Sequence, residues 1–561
     1  MTKQLKKMIV NENATIMDAL DCCLSGAKKV CFCVDNKGKF LGLMTEGDFL
    51  RFFRNNGNIH DKVIEYINRD PVLAYESIPV QESKKLLNRV VQILPQLNSQ
   101  GELVGYIDTS SNEYGFINIK NKSVTVLGLG YVGLTMGLVM ADVSFQVKGV
   151  DINKKLIDRL KNKQATFYEN GINDYINKYI GKRFNIYDRI EDAVSDIYII
   201  TVGTPVDSVS KEPKLASIID VARTIGKVLT KDNLVILRST VVVGTTRNIV
   251  IPELEKASNL KAGQDFYVAF CPERTAEGRA LRELRELPQI VGGYDEKSLE
   301  MATRLFNEYT PTVVRTSNLE TAEFCKLVDN CYRDVQFAFA NQIAEVTEKI
   351  GINVHDVISA VNLNYDRNRI SKPSPGVAGP CLVKDPYLLN SIFKQYGLSA
   401  DLMLSARKIN EHSAINIVYK ADGYLKKVNK TIKNARVFIV GFAFKGEPET
   451  SDLRDSTTLF FLQELKKYTS NIIGYDPVAF EAELEGLDIE VTTDVERGFK
   501  DADVVFVMNN HRSYQHWEID KYIKTMNRPG LIYDGWYLFA KRNQYLIENN
   551  ILYASVGVSP V

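Results

Sequence analysis

Three glycines and an aspartate define the first chemistry this sequence can do. In V-T-V-L-G-L-G-Y-V-G-L (124–134) an apolar run suited to a buried parallel strand leads into Gly128, Gly130 and Gly133. Glycines at that spacing let the chain turn tightly, bring backbone close to a pyrophosphate, and let the following helix pack on the strand. Tyr131 and Val132 open that helix, whose N–H groups and positive end face phosphate. Asp151 closes the next apolar run, V-K-G-V-D (147–151), where a carboxylate accepts from ribose hydroxyls and repels a 2'-phosphate. The pattern therefore favours NAD over NADP. Residues 124–143 are almost all apolar, but the glycines among them and Asp142 argue against a membrane helix.

A second constellation lies in P-G-V-A-G-P-C-L-V-K-D-P-Y (375–387), a loop rich in glycine and proline that presents Cys381 just ahead of Lys384 and Asp385. Such backbone lets a substrate carbon approach the sulfur, and a neighbouring cation favours the thiolate, the form that attacks. A cysteine in a loop is often inert. Joined to a nicotinamide site, it points to oxidation of an aldehyde through a thiohemiacetal and a thioester.

These residues need elements to hold them, and the chain is long enough for several domains. At 561 residues it exceeds one core. From 124 to about 314, strand-like runs alternate with helical stretches as in a parallel sheet with crossover helices, with strands expected at 197–202, 234–239 and 266–271. Residues 316–350 keep helical periodicity without Gly or Pro, which predicts a connecting helix of ~35 residues, ~50 Å long. A second alternating region opens at 435–446 and continues through 472–477 and 503–508. In front, V-D-N-K-G-K-F-L-G-L-M-T (34–45) recurs without a gap as L-N-S-Q-G-E-L-V-G-Y-I-D (97–108), so the first 115 residues read as a duplicated unit with turns at Gly38 and Gly101. Residues 112–121 read as a linker. The expected fold is α/β: two Rossmann-like doubly wound domains (122–315 and 430–561) joined by a central helical domain (316–425), preceded by the repeat module (1–115).

Seventy Lys plus Arg against 69 Asp plus Glu leave a net charge of +1, which excludes a nucleic-acid binder that relies on a basic surplus. The N-terminal residues lack the apolar core of a signal peptide and no later segment reads as a membrane span, so a cytoplasmic protein with no membrane partner is expected. Its eight cysteines show no paired C-x-x-C metal spacing, which predicts reduced thiols and no metal site.

From about residue 122 onward the chain resembles the UDP-glucose/GDP-mannose dehydrogenase family. The matching pieces are G-L-G-Y-V-G-L (128–134), V-G-T-P (202–205), R-S-T-V-V-V-G-T-T (238–246), C-P-E-R-T-A-E-G (271–278), E-F-C-K-L-V-D-N (323–330), G-P-C-L-V-K-D (379–385) and F-K-G-E-P-E-T-S-D-L-R-D-S (444–456). The resemblance implies four-electron oxidation of C6 of a nucleotide sugar with NAD. It makes Cys381 the nucleophile of the second oxidation and Lys326 the stabiliser of the oxyanion at C6, with Asn330 one helical turn later on the same face. Glu273 becomes the base for thioester hydrolysis, or the group that positions it, with Thr240 and Asp385 holding a water. Taken alone, Lys326 and Asn330 would be solvated helix residues. Thr204 and Thr240 are expected against the cofactor, and Lys445 and Arg454 on the nucleotide diphosphate, where a guanidinium fork and a point charge suit phosphate. Gly379, Arg367 and Arg369 are further substrate contacts, although the two arginines read equally well as loop charges.

Family members acting on UDP-N-acetylhexosamines carry P-E-R where those acting on UDP-glucose carry P-E-F. The chain has Pro272, Glu273 and Arg274. This favours a UDP-N-acetylhexosamine 6-dehydrogenase feeding surface polysaccharide synthesis, with UDP-glucose as the alternative substrate. The loop reads A-G-P-C (378–381) where acetylmannosamine enzymes have G-G-H-C, which leaves the epimer open. The front repeat resembles tandem modules of the cystathionine-beta-synthase (CBS) type, in which Thr45 and Asp48 match a T-x-x-D that contacts the ribose of an adenine nucleotide. The second copy has Asp108 in place of the threonine, and a structural pair remains as good a reading as a sensing one. A homodimer through the long helix, or a larger homo-oligomer, is expected. Readings of another class are an inactive nucleotide-sensing scaffold, which the intact Cys381, Lys326, Asn330 and Asp385 disfavour, and a two-electron hydroxyacid dehydrogenase, which would need neither the cysteine loop nor a second nucleotide domain.

Overall fold

The computed structural model describes residues 5–25, 29–55, 57–78, 80–84, 86, 87, 91–108, 119–207 and 209–560. Most of the linker expected at 112–121 lies outside them. The chain divides into two compact units, Met1–Asn118 and Ile119–Val561.

The repeat in the first unit is carried down to single hydrogen bonds. β1 (Ile9–Asn11), β2 (Val30–Val34) and β3 (Phe40–Thr45) form one three-stranded sheet, and β4 (Ala74–Tyr75), β5 (Ile93–Leu97) and β6 (Leu103–Asp108) another in the same order. In each, the first pair is parallel and the second antiparallel, and the ladder slips at the same place, between Cys33 and Val34 in one copy and between Gln96 and Leu97 in the other. The hairpins meet at their turns: Phe40 N–H donates to the Gly101 carbonyl (3.0 Å), and its counterpart Leu103 N–H donates to the Gly38 carbonyl (3.3 Å). The helix Ile16–Ser25 covers the first sheet, so Cys22, Cys23, Cys31 and Cys33 are buried with Phe49 and Phe52.

In the second unit the short apolar runs are buried on both faces, as a sheet covered by helices requires. Its first sheet contains β7 (Val124–Leu127), β8 (Val147–Val150), β9 (Phe184–Tyr187), β10 (Ile197–Ile200), β11 (Leu234–Leu237), β12 (Tyr267–Phe270), β13 (Gln289–Gly293) and β14 (Val313–Arg315), in the order β14-β13-β12-β11-β10-β7-β8-β9. It departs from the all-parallel expectation at one place, where β13 runs antiparallel to β12. The chain leaving β12 crosses the sheet's end through 271–279 and the short helix Ala280–Glu286, and so re-enters the sheet in the opposite direction. Strand order reverses between β7 and β10, the place where such sheets leave a crevice for a ligand.

The connecting helix spans Leu319–Ile350, starting later than the periodicity suggests because the Asn318 side chain accepts from Thr321 N–H and fixes the first turn. Gly351, at φ 72°, ends it. It packs along the helix Asp401–Lys426. Beyond lies an all-parallel six-stranded sheet in the order β17-β16-β15-β18-β19-β20, formed by β15 (Val437–Val440), β16 (Ile472–Tyr475), β17 (Glu490–Val491), β18 (Val504–Val507), β19 (Gly530–Asp534) and β20 (Ile551–Ser555). Among the described residues no helix is long and apolar enough to cross a membrane, and no group of His, Cys, Asp and Glu is arranged to hold a metal ion.

Candidate active site

The glycine loop after β7 is shaped by close approaches. A Cβ on Gly133 would stand 1.9 Å from the Gly128 carbonyl oxygen, so the helix Tyr131–Asp142 can start only where residue 133 has no side chain. At Gly130 a Cβ would meet nothing within 4 Å, leaving bare backbone open to a ligand. Asp151, just past β8, turns one carboxylate oxygen to Leu129 N–H (2.7 Å) and the other to Asn153 N–H (2.8 Å). An open glycine and a helix start on one loop, with a carboxylate from the end of the next strand hydrogen-bonded to that loop, fit the diphosphate and ribose of NAD. Thr204 donates to the Thr240 carbonyl (2.5 Å), tying the loops after β10 and β11 along the same edge. Val132 sits in the first helical turn. The Tyr131 hydroxyl is engaged elsewhere, by Glu169 and by Gly278 N–H (2.8 Å), and so binds the glycine loop to the loop after β12.

The long helix and the cysteine loop bring the second group together. Lys326 and Asn330 are both buried on that helix, and Lys326 makes no ion pair among the described residues. Asn330 donates through its amide to Asp385, which is wholly buried at the start of the helix Asp385–Gln395 and also takes the Lys384 ammonium at 2.8 Å. Cys381 is exposed to solvent but flanked by protein. Loss of hydration raises its thiol above the ordinary value, the Lys326 charge pulls it down, and Asp385 pushes it up again. Sequence spacing suggests a thiolate favoured by the adjacent cation. In the folded protein Lys326 and Lys384 both pull the thiol down, but loss of hydration outweighs them and it stays above its ordinary value.

Loops of the C-terminal sheet close on this group. Gly379, at φ +94°, lies against Phe444, whose ring a Cβ would meet at 2.9 Å, and its N–H donates to the Asp455 carbonyl (3.2 Å). Lys445 donates to the Glu277 carbonyl (2.8 Å). Arg454 forks onto Asp452 (2.9 and 2.6 Å) and comes within 3.7 Å of the Glu277 carboxylate. Glu277 does not stand out in the sequence, although it lies within C-P-E-R-T-A-E-G. Desolvation, and next the charge of Asp452, push its carboxyl up to about 7.

Glu273 is held differently from a free base. Its Oε2 accepts from Arg238 Nη2 (2.6 Å) and Nε (3.0 Å), and its Oε1 from the backbone of Arg274 and Thr275 (2.7 Å each). Burial works against the charged form, but Arg238 outweighs it and keeps the carboxyl below its usual range. With four donors on two oxygens, Glu273 fits positioning better than proton abstraction. The Arg274 side chain is exposed. Arg367 and Arg369 lie on an exposed stretch, Arg367 stacked over Tyr365 at 4.9 Å, and among the described residues no hydrogen bond or ion pair joins either to the cysteine group. In the first unit, Asp48 accepts from Thr45 N–H (2.8 Å) and Oγ1 (2.7 Å) and from Arg51 (2.6 Å), so both residues of the T-x-x-D cap the helix Glu46–Arg54.

Comparison with known proteins agrees with this arrangement. Residues 122–310 match the NAD binding domain of the UDP-glucose/GDP-mannose dehydrogenase family, 320–412 its central domain and 438–541 its UDP binding domain, while 1–55 match a CBS domain. The UDP-N-acetyl-D-mannosamine dehydrogenase of Pyrococcus horikoshii is 32% identical over 418 residues, 73% of this chain and 94% of the relative. That of Campylobacter jejuni is 32% identical over 410 residues, 71% and 98% of the two chains. A solved structure of the UDP-D-ManNAc dehydrogenase from Pyrococcus horikoshii superposes with a TM-score of 0.70 at 30% identity, covering 78% of this chain and 99% of that one. Two Rossmann-like sheets, a joining helix and a cysteine loop define an NAD-dependent UDP-sugar dehydrogenase. The chain belongs to the UDP-glucose/GDP-mannose dehydrogenase family and carries a CBS domain at its N-terminus.

Proposed function

We propose that this enzyme oxidises C6 of a UDP-N-acetylhexosamine from alcohol to carboxylate in the cytoplasm, for surface polysaccharide synthesis. The single observation carrying the chemistry is the grouping of Cys381 with Lys326 and the Asn330–Asp385 pair. NAD, when bound, takes one hydride in each of two oxidations. Lys326 and Asn330 stabilise the C6 oxyanion as the alcohol loses its proton. The Cys381 sulfur adds to the C6 aldehyde to give a thiohemiacetal, whose oxidation gives a thioester. Water held by Thr240 and Asp385 cleaves the C–S bond, releasing the acid and returning the thiol its proton, with Glu273 positioning rather than abstracting. Lys445 and Arg454 face the diphosphate. Oxyanion donors of this kind contribute about 10²–10³ in kcat, so Lys326→Met should fall in that range.

The substrate choice rests on Arg274 and on relatives named for UDP-N-acetylmannosamine. Steady-state turnover of UDP-GlcNAc, UDP-ManNAc, UDP-GalNAc and UDP-glucose with NAD tests it, and a clear preference for UDP-glucose overturns it. Cys381→Ser should stop before the acid is released; unchanged acid release would sink the covalent route. Assembly as a homodimer through the long helix is supported by its exposed Phe324, Val328, Tyr332, Phe339 and Val346, spaced along one face. Light scattering of Phe339→Glu should show monomer, and an unchanged dimer refutes this interface.

A further inference from the structure

The segment that presents Cys381 has no strand or helix of its own between 371 and 384. Its thiol is therefore only as well placed as the contacts that hold the segment from outside. Besides the Gly379 N–H bond to Asp455 in a loop of the C-terminal sheet, two of those contacts come from one side chain, one on each side of the cysteine. Arg407, on the helix Asp401–Lys426, is 1% exposed, and its guanidinium donates through Nη1 to the Leu382 carbonyl (3.0 Å) and through Nη2 to the Val377 carbonyl (3.1 Å). These carbonyls lie on either side of Cys381 in the chain. Nη1 also donates to Asp334 Oδ1 (2.8 Å), a residue of the long helix two turns beyond Lys326.

The network extends to the beginning of the segment. Asn410 donates to Asp334 Oδ1 (2.8 Å), Asn341 donates to Asn410 Oδ1 (3.0 Å), and Ser374 N–H donates to Asn341 Oδ1 (2.9 Å). Gly376, at φ +122°, passes so close that a Cβ would stand 2.8 Å from the Asn410 carbonyl oxygen. At the other end Glu411 lies 3.4 Å from Arg407 Nε and accepts from Tyr387 OH (3.0 Å), on the helix that Asp385 starts. A buried ion pair adds little to stability over apolar packing of the same volume. What a planar fork supplies that such packing does not is a fixed separation between two acceptors.

We infer that Arg407 is the positioning residue of the second oxidation: it spans the cysteine loop and, through Asp334, sets the Cys381 sulfur against the helix that carries Lys326 and Asn330. This rests on Cys381 being the nucleophile. The first oxidation needs no sulfur and is independent of the clamp. A displacement of about 1 Å costs about 10² in rate at a reacting centre.

The test uses the full-length enzyme with UDP-N-acetylmannosamine and NAD, in Arg407→Met, Arg407→Lys and Cys381→Ser. In Arg407→Met, acid formation should fall about 100-fold, with KM for the sugar and the first hydride transfer, read as the pre-steady-state NADH burst, within about threefold of wild type. Arg407→Lys, which keeps the charge opposite Asp334 but not the fork, should retain the melting temperature and lose most of the acid formation. Wild-type acid formation in either variant overturns the proposal, as does equal loss of both hydride transfers alongside a fall in melting temperature, which would mark Arg407 as structural only. If Arg407→Met does not fold, Arg407→Lys decides by the same readouts. Should Cys381→Ser release acid at the wild-type rate, the nucleophile assignment fails, and the clamp with it.

Discussion

At the residue scale, Cys381 and Glu277 are both displaced from ordinary acidity, and in each the largest cause is loss of hydration in the folded cleft. An exposed thiol titrates near 8.5. With its folded value raised, Cys381 should be mostly thiol at neutral pH, and alkylation of the free enzyme should still climb between pH 9 and 10. A plateau reached by pH 8 would contradict a raised thiol. Glu277 is neutral below about pH 7 and ionised above it, where its charge competes with a diphosphate for Arg454 and Lys445. Affinity for a UDP-sugar, whose diphosphate stays ionised throughout, should therefore weaken from pH 6 to pH 8 in wild type and stay level in Glu277→Gln, measured by calorimetry. Cys381 and Asp385 stood out by their place in a loop rich in glycine and proline, which is local information, whereas Lys326 and Asn330 were singled out only by the family resemblance, since alone they read as solvated helix residues. Glu277 was not legible, since its abnormality comes first from burial in the folded cleft and next from Asp452, far along the chain. Arg407 gave no signal, lying in an ordinary run of helix.

Secondary elements were legible where burial and periodicity coincide. The expected strands at 197–202, 234–239 and 266–271 contain β10, β11 and β12, each ending one or two residues earlier. Strand direction was not legible: β13 has the composition of a parallel strand, and only the route taken by 271–288 turns it round. The glycine loop after β7 yields an element-scale prediction. A methyl at residue 133 would have to displace the Gly128 carbonyl, moving the first helical turn away from β7. Gly133→Ala should cost about 1–3 kcal/mol of stability and weaken NAD binding by at least ~30-fold, about 2 kcal/mol, measured by fluorescence titration. Binding unchanged from wild type would mean the loop tolerates the shift.

For the whole molecule, the boundary at Asn118 separates a dehydrogenase from a module with its own core. The duplication was readable to the level of matched turns. Its ladder slip and reciprocal turn contacts emerged only in three dimensions. We propose that an adenine nucleotide binds this front module; Thr45 and Asp48 support it by sequence, and their closed capping box means the ligand must displace internal hydrogen bonds. Calorimetry of the full chain with AMP, ATP and NADH should show heat that residues 119–561 alone do not. Equal heat from both, or none from either, leaves the module structural.

Within the second unit, the first and third domains are stitched together across the cleft by Tyr168 to Glu449, Lys445 to the Glu277 carbonyl and Arg279 to Glu447. On the proposed placement of the UDP-sugar against Lys445 and Arg454, these contacts close the way out. Escape of the uronate, rather than bond-making at C6, then becomes the slow stage of the cycle, and kcat should drop in proportion as sucrose thickens the solvent, while Arg279→Ala, with one stitch cut, turns over faster and feels the thickening less.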